Sequence, residues 1–183
     1  MTRRLIFDFG ANKGQNIAYF LKRSDLVIAV EPVPEFCEVI EKKFSKHLGK
    51  KLLVVQAFVT DDENSSKEIP FFVNEKHPGV STFLDREGSD GFSKITVNTV
   101  SAASLINSII QPDDIIEYIK IDCEGADDLI LDSLISNNLL PNYFSIELHA
   151  EKSFYKVTNI DQYINFRIED AGKINSQFMG ISL

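Results

Sequence analysis

Short apolar runs alternate with amphipathic segments along the first third of the chain. The runs at 5–9, 26–31 and 52–59 are rich in Leu, Ile, Val and Phe, a composition typical of strands buried in a sheet. The third run is apolar almost throughout, which predicts a strand covered on both faces. The segments 13–23 and 35–47 place apolar residues at helical spacing. This order of strand, helix, strand, helix, strand predicts a parallel sheet with helices on both faces.

The rest of the chain continues the α/β pattern with shorter and more polar elements. Further strands are predicted at 68–73, 94–100, 116–122, 143–149 and 177–183, and further helices at about 101–110, after Gly125 and at 160–171. The segment 74–93 holds three glycines and few apolar residues. A connection of this length inside a domain is either disordered or functional, for example as a lid over a ligand.

The first apolar run ends in a glycine-rich turn that is followed by a helical pattern. Strand, glycine turn and helix form the opening of a nucleotide-binding βαβ unit. Gly10 permits a sharp exit from the strand, Asn12 tolerates a positive φ, and Gly14 allows a ligand or the next helix to approach the backbone. Glu31 ends the second strand, where a carboxylate can accept hydrogen bonds from both hydroxyls of a ribose.

Two ligand classes compete for this turn. A dinucleotide requires the spacing G-x-G-x-x-G, so that the pyrophosphate lies against bare backbone, and here Asn12 replaces the middle glycine. Asp8, two residues before Gly10, would repel a pyrophosphate but could pair with the ammonium group of an amino acid. A ligand with both a ribose and an α-amino group is S-adenosylmethionine, which Asp8 and Glu31 together favour. The alternatives are a nicotinamide or flavin dinucleotide, and a plain tight turn with two solvated acids.

Length and charge narrow the choice of partners. The chain has 183 residues and is expected to form one domain, 1–183, with a hydrophobic content of 44% that is ordinary for a soluble globular protein. With 19 basic and 27 acidic residues the net charge is −8, which disfavours nucleic acid as a substrate. A neutral or weakly charged molecule fits better than a nucleic acid as the acceptor on which the protein acts.

The sequence also gives expectations about the compartment. No apolar window is long enough for a membrane span, and the first strand begins too early to leave room for a signal peptide. The two cysteines, Cys37 and Cys123, lack C-x-x-C spacing and are expected to be small buried residues in a reducing compartment. We therefore expect a cytoplasmic protein with no membrane partner.

Polar residues collect at the carboxyl ends of four predicted strands, where open α/β sheets bind ligands. They are Asp8, Glu31, Asp122 with Glu124, and Glu147 with His149. Methyl transfer to a hydroxyl requires alignment of the acceptor and removal of its proton. Histidine is the side chain whose ordinary pKa lies nearest neutrality, so His149 is the candidate base. Asp122 or Glu124 could hold the acceptor hydroxyl, stabilise the sulfonium group of S-adenosylmethionine or orient the imidazole of His149.

Less specific interpretations of these residues remain open. Asp122, Glu124 and His149 could ligate Mg²⁺ or Mn²⁺, but no dense ligand motif accompanies them, so no metal is expected. His149 could also be a histidine hydrogen-bonded near a strand end. Asp127 and Asp128 suit the first turn of a helix for purely electrostatic reasons.

Several stretches of the chain resemble the FkbM family of S-adenosylmethionine-dependent methyltransferases. They fall within about residues 4–150 and are 7–16, 30–32, 56–58, 81–84 and 118–127. The specific part is Lys-Ile-Asp-Cys-Glu-Gly-Ala at 120–126, because the glycine turn alone is shared by many cofactor-binding folds. The resemblance implies a Rossmann-like class I methyltransferase with a mostly parallel, seven-stranded sheet and O-methylation of a hydroxyl on a sugar or secondary metabolite.

The resemblance also implies roles for individual residues. The methionine part of S-adenosylmethionine would be lined by Asp8, Gly10, Asn12, Gly14 and Asn16. Glu31 would hold the ribose, Ala57 and Phe58 would lie by the adenine, and the methyl group would lie near Asp122 and Glu124.

The chain departs from the family pattern at its C-terminus. The family sheet usually closes with an antiparallel hairpin, but few residues follow His149. Either the hairpin is shortened to a single strand near 178–183, or a partner subunit completes it and the protein is a homo-oligomer. The segments that would bind the acceptor carry no motif, so N-methylation, a non-catalytic cofactor-binding domain and an NAD-binding module remain alternatives.

Overall fold

A computed structural model describes residues 2–74, 76–77, 81–141 and 143–146 of the chain. The predicted helix at 160–171, the predicted strand at 177–183 and the C-terminal hairpin lie outside these residues. So do Glu147 and His149, the two polar residues predicted at the end of the strand that begins at Tyr143.

The described residues form eight strands and four helices that alternate much as predicted. In chain order they are β1 (Arg4–Phe9), α1 (Ile17–Phe20), β2 (Leu26–Glu31), α2 (Pro34–Lys43), β3 (Leu52–Gln56), β4 (Phe58–Thr60), β5 (Glu68–Asn74), β6 (Phe92–Ser101), α3 (Ala102–Ile109), β7 (Ile115–Ile121), α4 (Asp127–Ser136) and β8 (Tyr143–Ile146). Helix α1 is shorter than the predicted 13–23 because the residues around it form turns. Helix α3 is confirmed within the predicted 101–110 and is capped by Ser101, whose side chain accepts a hydrogen bond from the Ser104 N–H.

The main sheet of the described chain has five strands in the order β3-β2-β1-β7-β8, and every neighbouring pair is parallel. Strands β1, β2 and β3 extend in one direction from the centre, and β7 and β8 extend in the other. The order therefore reverses between β1 and β7. In open α/β sheets, such a reversal opens a crevice at the carboxyl ends of the strands.

Helices cover both faces of this sheet, as the sequence predicts. Alternate residues of β1 point to opposite sides: Phe7 and Phe9 join a cluster with residues of α3 and α4, whereas Ile6 joins a cluster with residues of α1 and α2. Both cysteines are buried, as expected. The fold is therefore that of a Rossmann-like α/β domain.

The apolar run 52–59 forms two strands rather than one, which corrects the sequence prediction. The run breaks at Ala57, after which β4 leaves the main sheet and pairs in parallel with β6. Strand β6 also pairs antiparallel with β5, which gives a second sheet in the order β4-β6-β5. An apolar run cannot reveal a change of sheet, because both halves are buried by different neighbours.

The prediction that the third strand is covered on both faces is also wrong. Strand β3 lies at the edge of the main sheet as the structure describes it. Leu52 is fully buried, but the next residue, Leu53, is 39% exposed. Edge position leaves one face of the strand partly uncovered, although the composition resembles that of a central strand.

No helix in the described part of the chain combines the length and the apolar character that crossing a bilayer requires.

At Gly10 the end of β1 lies in close contact with the residue that follows β7. Its φ is +77°, and a Cβ atom added there would lie 1.8 Å from the carbonyl oxygen of Asp122. No side chain fits in that space. A glycine is therefore required by both the backbone conformation and the contact with the next strand.

We expect Gly10→Ala to be far more destabilising than Gly49→Ala. Gly49 also has a positive φ, of +67°, but an added Cβ would meet nothing within 4 Å. Gly49→Ala should therefore cost only the conformational strain of about 1–2 kcal/mol, whereas Gly10→Ala adds the overlap with Asp122 and should cost about 3 kcal/mol or more. Denaturant unfolding monitored by circular dichroism measures both. Equal losses would contradict the close approach at Gly10.

Candidate functional site

A cleft opens at the carboxyl ends of β1, β2 and β7, where the strand order reverses. The space within it amounts to about 510 Å³ when the mouth open to solvent is included. The second sheet supplies part of its wall through β4 and β5. The described lining residues are Gly10, Asn12, Val30, Glu31, Pro32, Phe36, Ala57, Phe58, Val59, Phe71, Ser81, Asp122, Cys123 and Glu124.

The glycine turn after β1 has the conformation that its sequence predicts. Gly10 and Gly14 have φ values of +77° and +71°, and Asn12 has a φ of +49°. The N–H groups of Gly10 and Ala11 both donate to the carbonyl oxygen of Val30 at 3.0 Å. The turn is therefore attached to the end of β2 and forms one wall of the cleft.

Glu31 is almost completely buried at the end of β2, with 5% of its surface exposed. Its Oε2 accepts a hydrogen bond from the Asn12 N–H at 2.8 Å, and its Oε1 accepts one from the Val33 N–H at 3.0 Å. Burial raises the pKa of Glu31 to about 7, although these two hydrogen bonds act in the opposite direction. A carboxylate offers about four acceptor positions, so each oxygen retains capacity for one further donor.

An acidic turn, residues 122–125, follows β7 and also borders the cleft. Its shape is held by Asp127 at the start of α4, whose carboxylate accepts hydrogen bonds from the N–H groups of Cys123 at 2.8 Å and Gly125 at 3.1 Å. Glu124 has a left-handed backbone with a φ of +48°. Burial raises the pKa of Glu124 to about 7, with a further contribution from the negative charges of Asp122 and Asp127.

Lys120, a residue of β7, contacts both the glycine turn and the acidic turn. Lys120 Nζ lies 2.8 Å from Asp122 Oδ2 and 3.5 Å from Asp8 Oδ1, and it donates a hydrogen bond to the Gly10 carbonyl oxygen at 3.1 Å. Burial alone would lower the pKa of Lys120, but the charges of Asp8 and Asp122 outweigh it and raise this pKa above its ordinary value. The ammonium group therefore stays charged and holds the two strand ends together.

Asp8 lies near the carboxyl end of β1, as predicted, but it is not among the described residues that line the cleft, and its pairing with an ammonium group of the ligand stays a prediction. Asp8 is the last but one residue of β1, its side chain is only 1% exposed, and it lies opposite Lys120 in the register of β1 and β7. Because side chains alternate along a strand, Asp8 points to the face that carries Ile6. The ammonium group beside Asp8 in the structure is that of Lys120. Burial raises the pKa of Asp8, while the lysine opposes that rise.

Seven of the predicted site residues line the cleft, and the others lie elsewhere in the fold or outside the described residues. The seven are Gly10, Asn12, Glu31, Ala57, Phe58, Asp122 and Glu124. Gly14 instead packs against helices, since an added Cβ would lie 3.0 Å from Ile17 and 3.1 Å from Ile40. Asn16 immediately precedes α1 and makes no side-chain capping hydrogen bond. His149 lies outside the described residues.

Sequence reasoning missed several residues that shape the cleft. Lys120 gave a usable signal, because a lysine within an apolar strand is rarely buried unless it is paired with an acid. Ser81 lies in the stretch 81–84 that resembles the family, but no role was assigned to it. Phe71 gave no signal, since its position depends on how the second sheet packs. Within the part of the chain that the structure describes, no group of three or more His, Cys, Asp or Glu side chains is arranged to hold a metal ion.

The fold and the cleft together define a class of protein. A parallel sheet whose order reverses between a glycine turn and an acidic turn, with a buried carboxylate at the end of the second strand, is typical of a Rossmann-like nucleotide-binding domain. The family model for the methyltransferase FkbM domain matches residues 8–174. The chain therefore belongs to the FkbM methyltransferase family and is a methyltransferase. Neither the curated proteins nor the solved structures yield a match to the chain.

We expect Lys120→Met to lower the free energy of unfolding by about 3–5 kcal/mol, because it leaves the buried Asp8 without its cation. Asp8→Asn removes that unpaired charge, so the double variant Asp8→Asn/Lys120→Met should be more stable than Lys120→Met alone. Chemical unfolding of the wild type, both single variants and the double variant measures the coupling.

The exposed ion pair between Lys94 and Glu87 supplies the control for this comparison of single and double variants. Its side chains are 50% and 71% exposed, so Lys94→Met should change stability by less than about 1 kcal/mol. Strictly additive losses for Asp8→Asn and Lys120→Met would show that the two groups do not interact as described.

Proposed function

We propose that this protein is an S-adenosylmethionine-dependent O-methyltransferase that acts on a hydroxyl of a sugar or secondary metabolite. The observation that carries the proposal is the Glu31 carboxylate, which is fixed by two backbone N–H groups beside the glycine turn and borders the cleft. Its remaining acceptor positions suit the two hydroxyls of a ribose. Family membership supplies the reaction class, methyl transfer.

The cleft suits the remaining parts of S-adenosylmethionine as well. The apolar side chains of Phe36, Ala57 and Phe58 line part of the cleft and suit a flat adenine ring. Gly10 lines the cleft and carries no side chain, so an amino-acid tail can approach its backbone. Asp122 and Glu124 provide negative charge in the acidic turn, which favours a sulfonium.

The charge of the cleft disfavours a dinucleotide. Its described lining residues include three acidic residues, Glu31, Asp122 and Glu124, and no lysine or arginine, although Lys120 beneath the cleft offsets one of these charges. A diphosphate would meet this negative field at close range, whereas a ligand with a sulfonium and an ammonium group would be attracted. For the same reason an uncharged hydroxyl compound is a better acceptor than a phosphorylated one.

The residues of the acidic turn are assigned to the acceptor. When bound, S-adenosylmethionine supplies an electrophilic methyl group. Glu124, whose pKa is raised to about 7, can accept the proton of an acceptor hydroxyl near neutral pH. Asp122 holds that hydroxyl in line, and its own position is set by Lys120. His149 remains the other candidate base.

Calorimetric titration with S-adenosylhomocysteine tests the cofactor assignment. The wild type should bind S-adenosylhomocysteine, and Glu31→Gln should weaken that binding about ten- to hundredfold because a charged acceptor for the ribose is lost. Glu68→Gln removes the same charge from an exposed position on β5 and should leave the affinity unchanged. Binding of NAD in place of S-adenosylhomocysteine would overturn the assignment in favour of an NAD-binding domain.

The pH profile of methyl transfer tests the catalytic assignment. A panel of sugars and polyketide-like alcohols is incubated with S-adenosylmethionine carrying a labelled methyl group, and labelled ether products are identified by mass spectrometry. With an accepted substrate, kcat/KM should rise with pH through a pKa near 7, because Glu124 must lose its proton before it can act as a base.

Glu124→Gln should remove this rise and lower turnover about 10²-fold or more, while S-adenosylhomocysteine still binds. If His149→Ala alone removes the rise, the base is His149. If Asp122→Asn, Glu124→Gln and His149→Ala all retain full turnover, the catalytic assignment is wrong although the fold stands.

A further inference from the structure

The segment 81–84, which follows β5 in the chain, lies across the acidic turn. The backbone of Thr82 pairs with that of Phe72 in β5, through N–H to carbonyl hydrogen bonds of 2.8 and 2.9 Å. The adjacent Ser81 hydroxyl accepts a hydrogen bond from the Asn74 N–H at 3.0 Å. The segment is thereby anchored to the second sheet independently of its contacts with the cleft.

The side chain of Thr82 is attached to the acidic turn. Its hydroxyl donates a hydrogen bond of 2.7 Å to the carbonyl oxygen of Glu124 and accepts one of 3.1 Å from the Leu84 N–H. Thr82 is only 5% exposed, so water competes little for these bonds. The one proton of the hydroxyl is therefore committed to Glu124.

Glu124 has a backbone conformation that needs such support. A non-glycine residue with a φ of +48° is strained by about 1–2 kcal/mol and persists only when its surroundings determine it. Asp127 holds the N–H of the following residue, Gly125. Thr82 holds the carbonyl of Glu124, so the peptide group between Glu124 and Gly125 is held at both its N–H and its carbonyl oxygen.

Apolar contacts reinforce this attachment. A Cβ atom added to Gly125 would lie 3.3 Å from Phe83 and 3.4 Å from Leu84, so the segment packs directly on the turn. Phe83 also contacts Phe58, with 5.2 Å between the ring centroids. One short segment thus joins the wall proposed for the adenine to the turn proposed for the acceptor.

We propose that Thr82 is a positioning residue, whose hydroxyl fixes the backbone of Glu124 so that the Glu124 carboxylate stays in the cleft. The inference rests on the proposed function, in which Glu124 handles the proton of the acceptor. Without the hydroxyl, the strained backbone relaxes and the carboxylate moves away from its neighbours. The charged groups that act on it there are Asp122, Asp127 and Lys120.

The experiment compares Thr82→Val with the wild type, since valine has nearly the shape of threonine and carries a methyl group in place of the hydroxyl. The Glu124 carboxyl carbon is followed by NMR through a pH titration, with Glu124→Gln used to assign its signal. The midpoint should fall from about 7 towards the ordinary value of 4.5, because a displaced carboxylate is less buried and lies farther from Asp122. Amide exchange at 123–126 should become about fivefold faster or more.

Two further variants make the result specific. Thr82→Ser restores the hydroxyl and should restore both the titration midpoint and the amide protection. Ser93→Ala removes a hydroxyl that donates to the Val73 carbonyl in the β5–β6 pair and should change neither. If Thr82→Val fails to fold, Thr82→Ala replaces it, because alanine removes the hydroxyl with less bulk.

An unchanged Glu124 titration in a folded variant without the hydroxyl would overturn the proposal. So would a Thr82→Ser variant that behaves like Thr82→Val, because the effect would then come from packing. These measurements need no cofactor. A wild type that fails to bind S-adenosylhomocysteine but shows the Thr82-dependent titration would refute the proposed function and leave the structural link between Thr82 and Glu124 intact.

Discussion

The ammonium group of Lys120 lies between the carboxylates of Asp8 and Asp122 and the carbonyl oxygen of Gly10, at the point where the strand order of the sheet reverses. A buried carboxylate without a cation is unstable, and so is a buried lysine without an anion. Each group therefore depends on the other being in place. Because Asp8 belongs to β1 and Lys120 to β7, this ion pair also defines how the two strands meet beneath the cleft.

The two walls of the cleft are built outward from that pair. On one side, Gly10 turns the chain against the Asp122 carbonyl, and the turn then presents the Asn12 N–H to Glu31. On the other side, residues 122–125 are held by Asp127 and by Thr82. These contacts fix the backbone on both sides, so the residues Glu31 and Glu124 are carried on a rigid frame. Such a frame favours a reaction that depends on alignment more than on a reactive protein side chain.

Most elements of the main sheet could be predicted from apolar periodicity, and the position of the cleft followed from the glycine turn and from Glu31. Two predictions about the run 52–59 failed for related reasons. The run 52–59 contains a change of sheet at Ala57 that its uniform apolar character conceals. The same composition conceals the edge position of β3, which leaves Leu53 39% exposed. The spacing of Asp8 from Gly10 suits an ammonium ligand, but only the register of β1 and β7 reveals that Lys120 lies beside it.

The sequence by itself determined the local features: where strands and helices form, which turn requires glycine, and which acidic residues follow β2 and β7. These depend on backbone preference and on side-chain patterns within a few residues. Only the tertiary structure decided that Lys120 pairs with Asp8, that β4 joins a second sheet, and that Thr82 reaches Glu124. Such contacts join residues distant in sequence, and their partners are selected by the packing of whole elements rather than by any local pattern.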